Sequence, residues 1–257
     1  MHVSDPRVTS LSPAKLAAFA QVETVAVENT AAVDRSRASE ILVQGPSWFL
    51  PNGRNLNDIL DPITLDKVQA AIERRHLPFF FFYGFKPAVL LFDILGTPPC
   101  EQSRLAAGIP FLDALLIERA KRAYLKTADL ETVQDSMDAI SDIPEAAQID
   151  FLKVETRFDK YSEDMLETSV RLYAAGRIDL LSAWTNLVSR KELADSAHLD
   201  EFNAIMVDRR NGVMFENARK LVDAGPSFIA AGALHLIGPK GLVQRFKDAG
   251  YAVTAIE

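Results

Sequence analysis

Apolar and polar positions recur along this chain with periods that change several times. Phe228-Ile229-Ala230-Ala231 is a short uncharged run, the pattern of a strand covered on both faces, and Gly232 follows it where the backbone must bend or come close to something. Glu23 to Glu28 alternates and is rich in β-branched residues, which predicts a strand ending at Glu28. Tyr251 to Ile256 alternates as well and predicts a last strand closing the chain. Helical spacing dominates elsewhere. Ser12-Pro13 supplies an N-cap and a first-turn proline for a helix to Phe19. A weak helix is expected over Ser36 to Leu42, and further helices over Asn57 to Leu60, Leu65 to Arg74, and Lys86-Pro87 to about Leu95. Phe111 to Lys126, Thr132 to Ile140, Glu145 to Phe158 and Ser162 to Trp184 follow, the last with a local break at Gly176-Arg177-Ile178-Asp179. Leu199 to Val207, a helix ending near Asp223-Ala224-Gly225, and Leu242 to Ala249 complete the series.

These elements predict one α/β domain over residues 1–257: a central mixed sheet with flanking helices and a helical layer or insertion over about 111–187. Length permits it, since 257 residues bury a sizeable core. A formal charge of −7, with no stripe of Lys or Arg, argues against a nucleic-acid or anionic-membrane partner. A single cysteine, Cys100, excludes an internal disulfide and a cysteine-based metal cluster. Leu77 to Leu95 is the long apolar stretch, but Gly84, Lys86, Pro87 and Asp93 interrupt it, so no transmembrane segment is expected. Phe79 to Phe82 inside it reads as core or as the wall of an apolar groove.

Candidate chemistry gathers at the predicted strand ends. In open α/β sheets ligands bind in the crevice outside the carboxyl ends of the strands, and His235 and Glu28 each stand at or just past such an end. By spacing alone His235 is equally a packed turn histidine, and Glu28 a solvated strand end or a helix cap. Arg209-Arg210 either starts a helix on the surface or supplies fixed positive charge to a site. Asp113 suits the dipole of a helix first turn, His76 reads as an exposed capping histidine, and Glu131 joins a site only where a strand rather than a helix starts at Leu130-Glu131-Thr132. The chain has no phosphate-cradling Gly-rich loop, no Gly-x-Ser-x-Gly elbow and no His-Glu-x-x-His.

The C-terminal third carries a resemblance. Arg210-Asn211-x-x-Met214, then Phe228-Ile229-Ala230-Ala231-Gly232-Ala233-Leu234-His235-Leu236-x-Gly238-x-x-Gly241-Leu242, then Gly250-Tyr251-x-Val253 resembles the TraB/GumN family, which includes the Tiki metalloproteases. Leu77-Pro78, Lys86-Pro87, Leu112-Asp113 and Leu130-Glu131-Thr132 fall in the family's order, so the likeness spans essentially the whole chain. The family has two Gly-x-x-His motifs and a glutamate at the end of the strand after the first. Here the second is Gly232-x-x-His235, Glu28 matches the glutamate, and His2 matches the first histidine, as though Met1 stood inside that motif. The resemblance therefore implies an upstream start, a missing strand, and a periplasmic or secreted location set by an upstream signal peptide.

The resemblance further implies a fold like that of erythromycin esterase and ChaN-like proteins. It implies a divalent metal held by His2, Glu28 and His235, Mn²⁺ or Co²⁺ rather than Zn²⁺, with Gly232 permitting close approach. Glu28 and Arg210 are its catalytic candidates, and a peptide or other small substrate its expected partner. Two competitors come with it: a metal-free hydrolase in which a histidine and Glu28 activate water, and a non-enzymatic protein that captures a peptide or haem.

Overall fold

The computed structural model describes residues 3–31, 33 and 48–256. His2 and the helix expected over Ser36 to Leu42 lie outside the described residues.

Among the described residues three strands form one parallel sheet: β1 (Thr24–Val27), β2 (Lys126–Asp129) and β3 (Ser227–Ile229), in the order β2-β1-β3. The order places β1 in the centre, and its Val25, Ala26 and Val27 are fully buried. Side chains alternate across a strand, so the two sheet faces collect different partners. Val25 and its register neighbour Phe228 pack with Phe19, Leu116 and Ala120 under the Pro13–Phe19 and Leu112–Arg122 helices. Ala26, Ala128 and Ile229 pack with Met214, Phe215, Ala218 and Leu242 under the Arg210–Ala224 and Leu242–Asp248 helices. The result is helix, sheet, helix, the layering expected of parallel strands that must be covered on both faces.

The remaining helices form a block built on a second apolar cluster, in which Leu56, Val68, Ile72, Leu90, Leu95 and Leu152 meet. Its main helices are Pro62–Glu73, Glu145–Phe158, and Pro87–Val89 continued as a π-helix over Leu90–Leu95. Arg75 fastens the block: its buried guanidinium pairs with Asp159 at 2.6 Å and donates to the carbonyls of Ala71, Leu95 and Thr97. Phe79 and Phe82 pack against this cluster, whereas Phe80 and Phe81 are 70% and 63% exposed. The four phenylalanines are thus half core and half surface, and their cluster shares no residue with the one beneath the sheet ends.

The α/β class and the helical insertion hold, with the described sheet parallel rather than mixed. Two details differ from the sequence reading, and an expected break is borne out. The helix expected over Phe111 to Lys126 stops at Arg122, Tyr124 takes a left-handed φ of 55°, and the chain then enters β2. Tyr251 to Ile256 is no strand: Val253 and Ile256 are exposed, while Tyr251 stacks edgewise on Phe246 and its hydroxyl donates to Asp223, so side-chain anchoring displaces sheet pairing there. The helix expected over Ser162 to Trp184 is two, Ser162–Ala174 and Ile178–Glu192, parted at the expected break, where Gly176 takes φ 69°. Among the described residues no helix is long and apolar enough to cross a membrane.

Candidate active site at the strand ends

Three parallel strands end side by side, and the chain leaving each one carries a chemically capable group. Glu28 follows β1, and Glu131 follows β2 after the buried Leu130. The ladder carries on past the strands through Leu130 N–H to Val27 O and Glu131 N–H to Glu28 O, at 2.9 and 3.0 Å, which fixes the two glutamates beside each other. From β3 the chain runs through Ala230, whose N–H donates to Ala26 O at 2.8 Å, to Gly232 and the short helix Ala233–Leu236 carrying His235.

Arg210, the first residue of the Arg210–Ala224 helix, reaches in from the layer above. A π-helix, Ala204–Arg209, runs directly into it. Its Nε donates to both oxygens of Glu131 at 3.0 and 3.2 Å, and its Nη2 donates to Glu131 and, at 3.1 Å, to Glu28. Its Nη1 donates to Met206 O at 3.4 Å. Of the five N–H groups that a guanidinium presents, these bonds engage four. Arg210 is therefore chiefly a clamp on two carboxylates.

The electrostatics follow from that clamp. Burial pushes the Glu131 carboxyl above its ordinary range; Arg210 pulls it back down and Glu28 pushes it up, and burial wins. Burial would loosen the proton on Arg210, but the two carboxylates outweigh it and hold the guanidinium cationic. Two carboxylates facing one guanidinium leave the cluster electronegative whenever both are ionised.

Gly232 closes the arrangement. Its N–H donates to Glu28 Oε1, so one oxygen of Glu28 is fixed by backbone and the other by Arg210. A Cβ at position 232 would stand 2.9 Å from that Oε1 and 3.4 Å from His235 Cδ2. Its φ is −53°, so the requirement is for space and not for an unusual backbone angle. The same contacts show that Glu28 and the His235 ring flank one glycine. His235 is 8% exposed, and its Nδ1 lies 2.8 Å from Asn211 Oδ1. Asn211 in turn donates through Nδ2 to Lys240 O at 3.0 Å.

The structure thus brings Glu28, Arg210, Gly232 and His235 to one point, and His2 lies outside the described residues. Sequence reasoning gave Glu131 only a conditional place and gave Asn211 no role in the site. Recognising β2 would have exposed Glu131, since it stands at a strand end as Glu28 does; Asn211 carries no local signal beyond adjoining Arg210. Other candidates fall elsewhere. Cys100 has its thiol pushed up by burial and by Glu163. Arg209 pairs with Asp142 on the surface, Asp113 sits in a helix first turn, and His76 is an exposed residue with φ 57° after the Pro62–Glu73 helix. His198 and two backbone N–H groups converge on Asp150 and tie down the loop before the Ala197–Asn203 helix. A cavity of about 480 Å³ lined by Leu11, Leu16, Leu112 and Leu115, with Arg119 and Arg122, includes none of the site residues.

Among the described residues no three His, Cys, Asp or Glu side chains are grouped to hold a metal ion. The described part of the expected donor set is Glu28 and His235, a carboxylate and an imidazole flanking one glycine in an electronegative setting, which suits a divalent cation. Comparison with known proteins gave no match among curated proteins and none among solved structures. A family model does match, over residues 1–255, and by that match the chain belongs to the TraB/PrgY/gumN family.

Proposed function

We propose that the chain is a hydrolase acting on a peptide or another carbonyl substrate in the crevice at the strand ends, with Glu28 and His235 as its working pair. The observation that carries this reading is the fixing of Glu28 by Gly232 N–H and Arg210 beside the His235 ring. An imidazole beside an ionised, oriented carboxylate can take a proton from water and return it to a leaving group. Arg210 fixes Glu28 through Nη2, and its positive charge beside the pair is placed to stabilise a developing oxyanion. The flanking glycine lets substrate backbone come close.

In this reading a divalent cation, Mn²⁺ or Co²⁺ in preference to Zn²⁺, is held by His2, Glu28 and His235. Such an ion polarises a carbonyl and lowers the pKa of water bound to it towards ~7. A metal-free version rests on the same geometry: each oxygen of Glu28 accepts a protein N–H bond, which orients the carboxylate beside the His235 ring.

The test is turnover of a mixed peptide library, read by mass spectrometry, with and without chelator. Cleavage that disappears in Glu28→Gln and His235→Ala, by about 10²–10⁴-fold for loss of an acid–base group, supports the reading. Chelator sensitivity separates the two versions. Stoichiometric retention of a peptide with no product would overturn both.

A further inference from the structure

We propose that Asn211 is a positioning residue that sets the tautomer of His235, placing the proton on Nδ1 and the lone pair on Nε2. The argument starts two bonds away, at the carbonyl of Lys240. A carbonyl oxygen only accepts hydrogen bonds, and Lys240 O takes them from Asn211 at 3.0 Å and from Arg245 Nε at 2.9 Å. The Asn211 group facing it must therefore be the NH₂. That fixes the orientation of the amide and turns Oδ1 towards the imidazole, 2.8 Å from Nδ1. An amide oxygen also only accepts, so Nδ1 must carry the hydrogen. Asn211 is 1% exposed and His235 8%, which keeps bulk water from supplying an alternative partner on this side.

The consequence is directional. Imidazole Nε2 is bonded to Cδ2, and Cδ2 is the ring atom that stands 3.4 Å from where a Cβ on Gly232 would be, with Glu28 Oε1 2.9 Å from the same point. The electron pair of His235 is thereby placed on Nε2, the nitrogen bonded to that atom. Successive residues of one helix point about 100° apart, which follows from 3.6 residues per turn, so Arg210 and Asn211 divide the work. One clamps Glu28, the other orients His235, and a single helix start presets both members of the pair. This significance for catalysis rests on the hydrolase reading; the tautomer itself does not.

Long-range ¹H–¹⁵N correlation spectra of the chelator-treated full chain, labelled in histidine, read the tautomer directly at a pH where the rings are neutral. The chain has 4 histidines, and comparison with His235→Gln assigns the signal. The expected result is an Nδ1–H pattern for His235, kept in Asn211→Asp and shifted towards Nε2–H in Asn211→Leu. An Nε2–H pattern in the unmodified protein would overturn the proposal, and so would a pattern unchanged in Asn211→Leu. Should Asn211→Leu not fold, the unmodified spectrum still decides. An Nδ1–H ring in a protein that cleaves nothing would retain this assignment and sink the hydrolase reading.

Discussion

Gly232 is the position at which the site has no room for even one methyl group. A Cβ 2.9 Å from Glu28 Oε1 would displace the carboxylate that Arg210 and the Gly232 N–H hold. Gly232→Ala is predicted to lose at least about 10²-fold in turnover, the scale of a misplacement near 1 Å. Its stability should fall by only about 1–3 kcal/mol, the ordinary range for overpacking. Steady-state kinetics beside thermal melts separate the two effects. Arg210→Met does more harm to the fold, because it leaves Glu28 and the buried Glu131 facing each other without a cation. A loss of about 3–5 kcal/mol is expected, as for removing one partner of a buried pair. The pH dependence has a definite sign. A carboxyl whose folded pKa is raised, as burial raises Glu131, gives full stability below its unfolded value near 4.5 and loses it as pH rises. Arg210→Met is therefore predicted to be least unstable in mild acid, as melting temperatures across pH would show.

Among the elements, legibility in the sequence tracked burial. β1 and β3 were legible because they are short apolar or alternating runs closed by Glu28 and Gly232. β2 was not, because it is an edge strand of Lys126-Thr127-Ala128-Asp129 with only Ala128 half-buried; its pattern carries almost no hydrophobic signal, and pairing with β1 decides it. The Glu145–Phe158 helix matched its expected bounds because apolar period and flanking proline agree. The same helix carries a half-buried glutamate, its carboxyl crowded by protein, that the sequence reading passed over. Glu155 has its pKa raised to about 7, by burial first and then by Asp159, against a pull from Arg75. Its stability contribution is present below about 4.5 and is lost as pH climbs through about 7. Glu155→Gln is accordingly predicted to melt above the unmodified protein near neutral pH and to lose that advantage by about pH 4.5. Equal melting temperatures across that window would contradict the assignment.

At the scale of the molecule, the parallel sheet explains why residues scattered over some two hundred positions meet. Glu28, Glu131 and His235 each leave a strand at the same end, and one helix start supplies Arg210 and Asn211. Periodicity shows where a strand stops, so Glu28 and His235 could be read from the sequence. It does not show which strands are neighbours, so the Glu131 and Asn211 contacts could not. The central claim is that Glu28 and His235 serve one ligand from the two ends of the chain. Calorimetric titration of Mn²⁺, Co²⁺ and Zn²⁺ into chelator-treated protein, beside Glu28→Gln and His235→Ala, tests it most directly. One cation bound per chain, weakened at least about 10–100-fold in each variant, is the predicted result. Binding indifferent to both substitutions would contradict it, and absence of binding would overturn the metal-dependent version and leave the metal-free one.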